Sequence, residues 1–290
     1  MRVLVLGASG MLGNAVIKVF CKDLSHEVWG TLRSASALHF FSEDQRKRLL
    51  VGVDVLDNDA LVQALNTVRP DVVINCVGLI KQLADANNPL STLPVNSIFP
   101  HRLERLCGLS DIRVIHVSTD CVFSGRKGRY KEEDVSDAED LYGKSKFIGE
   151  LRDSPHAITL RTSIIGHELG SNMALVNWFL SQTDQVRGYS KAVFSGLPTI
   201  ELALVIKDYV ITRPELSGLF HVASAPISKY ELLCLIAKKY QKSIDIVPDE
   251  RLVIDRSLNS ELFHQATGYI PPTWPELVER MYKSSANLVA

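Results

Sequence analysis

Val3-Leu4-Val5-Leu6-Gly7-Ala8-Ser9-Gly10-Met11-Leu12-Gly13 runs from a strand through a glycine turn into a helix. Its apolar run lacks the in-and-out alternation of a half-exposed strand and suits one covered on both faces, as in a parallel sheet. The run breaks at Gly7, and glycines return at positions 10 and 13 as helical periodicity sets in, with Leu12, Ala15, Val16 and Val19 on one stripe of 11–22. Glycines in that place permit a tight turn, let backbone amides approach a pyrophosphate and let the helix pack against the strand, while the helix N-terminus favours an anion. The spacing is GxxGxxG rather than GxGxxG, and the competing reading is a plain glycine-rich turn. Gly7, Ser9, Gly10, Met11, Leu12 and Gly13 are the expected cofactor contacts.

Outward from this turn, short β-branched runs alternate with helical periodicity, the pattern of a doubly wound α/β sheet. Strands are expected at 2–6, 27–31, 49–53, 72–76, 113–117 and 157–160, and a second amphipathic helix at 58–68. After Arg161 the alternation loosens into a helix near 172–181, a glycine-containing run at 187–198 and a strand at 218–223. A helix at 230–240 and a Pro-Pro-Thr-Trp-Pro turn before 276–282 complete the chain. The expected division is a dinucleotide-binding domain at 1–162, rejoined by 195–223, and a smaller interleaved substrate lobe from 163–194 and 224–290.

The 290 residues are 46% hydrophobic and 22% charged, which excludes disorder and coiled coil and suffices for one large core or two modest ones. A net charge of −1 gives no electrostatic case for nucleic acid. Five cysteines, odd in number and never in a CxxC pair, form neither a disulfide framework nor a zinc site, so a reducing cytoplasm is expected. No apolar stretch is long enough for a membrane span, and the N-terminal run ends in glycines with no cleavage-site pattern.

At the end of the second strand, where a dinucleotide fold usually presents an acid to the adenosine ribose, the chain reads Gly30-Thr31-Leu32-Arg33-Ser34. Arg33 could pair with a 2′-phosphate, favouring NADPH over NADH, or be a solvated loop arginine. Asp54-Val55 either faces the adenine or forms a turn. Asn75-Cys76-Val77-Gly78 places small residues at the sheet's carboxyl edge, for a ligand or for close packing. Tyr142 and Lys146 stand four apart, a spacing found once among eight tyrosines, which stacks both on one helix face. There the ammonium lowers the tyrosine pKa so that it exchanges a proton with a substrate oxygen that Thr119 can hold. Eight histidines lack ligand spacing, and His116 and His221 read as hydrogen-bonded core groups. The acidic run Glu132-Glu133-Asp134 with Asp137, Glu139 and Asp140 reads as a solvated loop whose carboxylates favour the next helix's dipole.

Taken together, Gly7-x-x-Gly10-x-x-Gly13, Asn75-Cys76-Val77-Gly78, Ser118-Thr119-Asp120 and Tyr142-x-x-x-Lys146 resemble the extended short-chain dehydrogenase/reductase family. Ser118 through Gly125, Arg161-Thr162-Ser163 and Ser257 through Leu262 are similar to its dTDP-4-dehydrorhamnose reductase branch. The resemblance implies a Rossmann-type fold, NADPH bound also by Arg33, Asp54, Val55, Cys76, Val77 and Gly78, and Thr119, Tyr142 and Lys146 as catalytic group. In it Tyr142 and Lys146 also touch the cofactor, and Thr119 and Tyr142 the substrate. It further implies a nucleotide-sugar site in the C-terminal lobe, closed by 161–179, for which Asn172 and Trp178 are candidates; a helix cap and a core aromatic are the alternatives. Asn96 is expected to anchor the helix behind the site. Position 121, usually tyrosine, is Cys121, Ile164-Ile165-Gly166 replaces a segment that usually holds a tryptophan, and Asn14 stands where a metal would need an acid, so no metal is expected.

The implied function is NADPH-dependent reduction of a nucleoside-diphosphate-bound 4-keto-6-deoxy sugar in deoxysugar and polysaccharide biosynthesis. Alternatives are a nucleotide-sugar epimerase of the same fold and a non-catalytic dinucleotide-binding subunit of another enzyme. Cys121 replaces the glutamate of related dehydratases and argues against elimination. The partner is then a nucleotide sugar, with no nucleic acid, no membrane and a homodimer left open.

Overall fold

The structure is a computed structural model that describes residues 1–80 and 84–286. Its main sheet has seven strands: β1 (Arg2–Leu6), β2 (Glu27–Leu32), β3 (Leu49–Val51), β4 (Val72–Asn75), β5 (Arg113–Thr119), β6 (Ala157–Thr162) and β7 (Gly218–His221). They lie in the order β7-β6-β5-β4-β1-β2-β3. β1 pairs in parallel with both β2 and β4, and β2–β3 and β4–β5 are parallel too. The chain therefore leaves β1 toward one edge and returns on its other side, which makes the carboxyl end of β1, where Gly7 stands, the topological switch point. The expected doubly wound α/β class is the one observed.

Four helices position the site: α1 (Met11–Phe20), α2 (Asn58–Val68), α3 (Phe99–Gly108) and α4 (Leu141–Ile148). Leu61, Leu65 and Val68 of α2 and Phe99, Leu103 and Cys107 of α3 form one core with Leu4, Leu6, Val73 and Val114 of the sheet. Val16, Ile17 and Phe20 of α1 are also buried. The Asp57 side chain accepts from the amides of Asp59 and Ala60 to start α2, and Arg69, at φ 47°, ends it. β3 is shorter than expected, because Gly52, at φ +83°, turns the chain after Val51.

By Cα packing the chain forms two compact units, one of 1–118, 140–160 and 203–219, the other of 119–139, 161–202 and 220–290. The expected boundaries placed 119–139 in the first domain and 195–223 as the returning segment. Within the second unit, 119–139 is tied down by Tyr130, whose amide donates to Ser257 O and whose carbonyl accepts from Asn259 N. The Tyr130 ring stacks on Phe123 at 4.0 Å, and its hydroxyl accepts from the amides of Gly125 and Lys127. In the first unit, Arg113 holds the returning segment by donating to the carbonyls of Val210 and Leu216.

The second unit carries short pairings rather than a large sheet. Val186–Tyr189 runs parallel to Ile246–Asp249, and Ala192–Phe194 lies between Ile227–Ser228 and Ile254–Asp255. Lys229–Lys239 starts at a capping box in which Ser228 and Glu231 satisfy each other's amides. The helix expected from 172 begins at Leu175, because Glu168 Oε2 accepts the Ala174 amide at 2.7 Å and holds the preceding loop open. Among the described residues, no helix is long and apolar enough to cross a membrane.

Candidate active site

In the first unit, the glycine turn is fixed by its own backbone. Gly7 has φ +79°, its amide donates to Thr31 Oγ1 at 3.2 Å, and the Gly10 amide donates back to Gly7 O at 3.0 Å. A Cβ on Gly13 would lie 2.1 Å from Gly7 O, so only glycine lets α1 sit this close to β1. No side chain caps the N-terminus of α1 and its first turn holds no acid, which leaves its amides for an anion. These residues fit the pyrophosphate of a dinucleotide. Asn14 is buried beyond the turn with no hydrogen-bond partner for Nδ2.

The carboxyl end of β4 lies against this turn, since a Cβ on Gly7 would meet Val77 Cγ2 at 3.0 Å and the Cys76 carbonyl at 3.5 Å. Asn75 Oδ1 accepts from the Val77 amide at 3.0 Å, and Asn75 Nδ2 pairs with His116 Nδ1 at 3.1 Å. His116 is fully buried, and burial together with the Lys146 charge holds it well below the usual imidazole range, a neutral core group as expected. Arg33, just past β2, is exposed and makes no hydrogen bond or ion pair among the described residues, so its guanidinium is available. Asp54 is engaged in a turn, accepting from the Leu56 amide at 2.9 Å, and Val55 packs into the core.

Asp140 caps α4 by accepting the Gly143 amide at 2.7 Å. Tyr142 on this helix is half-buried, and Lys146 is buried, its Nζ donating to Val117 O at 2.8 Å. Burial lowers the Lys146 ammonium to about 8, opposed first by Glu150 and then by Cys76. The Cys76 thiol is pushed up by burial to about 12. A Cβ on Gly78 would stand 3.8 Å from Lys146 Nζ, which brings the end of β4 to the ammonium. Asn96 lies in a π-helical turn at Pro94–Ile98, exchanges two hydrogen bonds with the Leu79 backbone and donates to Ser145 Oγ at 3.2 Å. It thereby anchors the segment after β4 to α4.

Thr119, Asn172 and Trp178 belong to the second unit. Thr119 Oγ1 accepts from the Cys121 amide at 3.1 Å and donates to Asp120 Oδ1 at 3.2 Å. Burial raises the Asp120 carboxyl, opposed by Arg256 and Lys229. Lys229 is lowered to about 8 by burial, opposed by Asp120 and Cys121, and its Nζ lies 3.5 Å from the Phe194 ring centroid. Arg256 Nη1 approaches Cys121 Sγ at 3.7 Å. Sequence reasoning missed this charged surround of position 121, because Asp120, Lys229 and Arg256 are distant in the chain and share no motif.

Both alternatives for Asn172 and Trp178 fail. Ala174, not Asn172, is the helix cap, and Trp178 is 37% exposed rather than a core aromatic. Asn177 was overlooked: its Nδ2 ties the preceding loop through Ser171 O at 2.9 Å, while its Oδ1 is buried without a partner. The acidic run is not simply a solvated loop. Glu132 accepts from the His221 amide at 2.8 Å, Asp137 from Ser124 and Asp134 from Lys127. His221 is fully buried between Arg161 Nη1 and the carbonyls of Tyr130 and Asn259, a core group as expected. Among the described residues, no group of three or more His, Cys, Asp or Glu side chains could hold a metal ion.

The chain is 32% identical over 241 residues to the probable low-salt glycan biosynthesis reductase Agl14 of Haloferax volcanii, covering 77% of this chain and 75% of that one. It is 27% identical over 304 residues to a dTDP-4-dehydrorhamnose reductase of Aggregatibacter actinomycetemcomitans, covering 97% and 98%. Methionine adenosyltransferase 2 subunit beta of Bos taurus is 27% identical over 255 residues, covering 82% and 72%. In fold, the chain matches the dTDP-4-dehydrorhamnose reductase of Bacillus anthracis str. Ames solved in complex with NADP, with a TM-score of 0.78 at 18% identity over 98% and 99% of the chains. The RmlD substrate binding domain model matches residues 1–287, and with the uncapped glycine turn and the Tyr142–Lys146 helix on one sheet, the chain belongs to that family, a branch of the extended short-chain dehydrogenase/reductases.

Proposed function

We propose that this chain is an NADPH-dependent reductase of a nucleoside-diphosphate-bound 4-keto-6-deoxy sugar. The observation that carries the reading is the buried Lys146 ammonium on the helix of Tyr142, brought against the end of β4 beside an uncapped helix N-terminus. The reductase names of two relatives support the reaction class, and the NADP of the similar solved structure supports the cofactor. NADPH, when bound, supplies the hydride to the keto carbon. The amides of Gly7 to Gly13 would hold its pyrophosphate, Arg33 its 2′-phosphate, and Cys76, Val77 and Gly78 would line its path. Tyr142 protonates the alkoxide that develops at the sugar oxygen, and Lys146 stabilises the tyrosinate left behind. Thr119, Asn172 and Trp178 are the proposed substrate contacts of the second unit.

A panel of 4-keto nucleotide sugars, made in situ by dehydratases and assayed for NADPH oxidation, tests this. Oxidation stoichiometric with product supports a reductase, and turnover without net oxidation supports an epimerase. The adenosyltransferase-subunit relative supports a second reading, a non-catalytic dinucleotide-binding subunit. Tyr142, Lys146 and Thr119, all present, weigh against it, and a stably co-purifying enzyme with no oxidation of NADPH on any sugar of the panel would favour it.

A further inference from the structure

Glu150 has no part in the reaction as proposed, yet its side chain is wholly buried. It follows Lys146 by four residues, just past the end of α4. Ser118 Oγ donates to Glu150 Oε1 at 2.9 Å, while Arg152 donates to Oε2 from Nη2 at 2.7 Å and from Nε at 3.2 Å. Lys146 Nζ hangs from the carbonyl of Val117, the residue immediately before Ser118. Consecutive residues of β5, Val117 and Ser118, thus hold an ammonium and a carboxylate.

Glu150 and Cys76, the latter just past β4, bear on the Lys146 charge, and Lys146 bears in turn on His116 of β5, with His101 of α3 beyond. Cys76 and His116 are neutral near pH 7, the thiol pushed up to about 12 and the imidazole held down by burial. That leaves Glu150 as the negative charge in this set. A buried ammonium with, among the described residues, one carbonyl acceptor would shed its proton unless an opposite charge compensates its lost hydration. Arg152, whose side chain is 35% exposed, pairs with Glu150 from the solvent side.

Resting on the reading of Lys146 as a catalytic group, we propose that Glu150 is a positioning residue of the reaction: it keeps Lys146 charged and, through Ser118, fixes the strand end from which Lys146 hangs. Arg152 moderates the Glu150 charge from the solvent side.

The test titrates Lys146 directly, by NMR of protein labelled at lysine Cε without cofactor or sugar, its signal assigned by its loss in Lys146→Arg. The wild-type midpoint is expected at about 8. Glu150→Gln keeps the acceptor for Ser118 and removes the charge, and should lower the midpoint by about one pH unit or more, whereas Arg152→Gln should raise it. An unchanged midpoint in Glu150→Gln overturns the proposal, and so does a similar fall in both variants, the mark of a merely packed side chain. If Glu150→Gln does not fold, a rise in Arg152→Gln supports the proposal, and a fall or no change overturns it. In turnover, the alkaline limb of the pH profile should move with the midpoint. Because the titration uses neither NADPH nor sugar, its outcome stands apart from whether the proposed substrate is right.

Discussion

Tyr142 and Lys146 divide one task between a proton and a charge, and their variants should separate the two. Tyr142→Phe removes only the hydroxyl that protonates the substrate oxygen, so turnover should fall about a hundredfold or more while NADPH affinity stays nearly constant. Unchanged turnover, measured with the sugar that wild type reduces, would remove Tyr142 from the mechanism. Arg33 is exposed and unengaged among the described residues, so Arg33→Ala should leave the fold alone and weaken NADPH at least about tenfold more than NADH. Equal losses in fluorescence titrations of the two cofactors would refute its role. Tyr142 and Lys146 could be read in the sequence because a four-residue spacing on a helix is a local property. Glu150 could not: its partner Ser118 lies 32 positions away, and its significance comes from burial. Lys229 escaped for the same reason, burial lowering it and Asp120 opposing that from elsewhere in the second unit.

At the level of elements, the glycine turn and α1 were legible because strand, turn and helix follow one another without a gap, and each glycine has a distinct steric duty. Gly13→Ala would drive a Cβ to 2.1 Å from a backbone oxygen, and overpacking that cannot relax should remove more than about 3 kcal/mol of stability. Gly10→Ala meets the same oxygen at 3.3 Å, a contact that small shifts relieve, so it should unfold nearly as wild type but bind NADPH more weakly. Urea unfolding and cofactor titration of the pair check this, and equal stability of the two variants would contradict the steric assignment. Elements were misjudged where a hydrogen bond outside the periodic pattern sets the boundary. Glu168 delays the helix to Leu175, and Tyr130 draws 119–139 into the second unit through Ser257 and Asn259, more than 120 positions on.

Over the whole molecule, each unit encloses one histidine kept neutral by burial, His116 in the first and His221 in the second. Burial and the neighbouring Arg161 lower His221 to about 3 from the ordinary 6.5. Between those values the unfolded chain binds a proton that the folded chain refuses, so stability falls as pH drops from 6.5 toward 3. At pH 5 this amounts to about 2 kcal/mol for His221, a large share of the usual margin of a domain. His116 acts in the same direction in the first unit. Asp120 and Glu132, both raised by burial, work the other way from 3.8 and 4.5 upward, so in the second unit they offset part of the loss. A comparison of wild type with His221→Gln isolates the histidine from those carboxylates. The variant should begin less stable at pH 7, having lost the imidazole that accepts from Arg161, but lose about 2 kcal/mol less than wild type in the second unit's transition on going to pH 5. Calorimetric scans at the two pH values read that difference. Parallel losses in both proteins would mean that His221 takes up a proton in the fold as readily as in the unfolded chain, and the neutral pairing with Arg161 would be wrong.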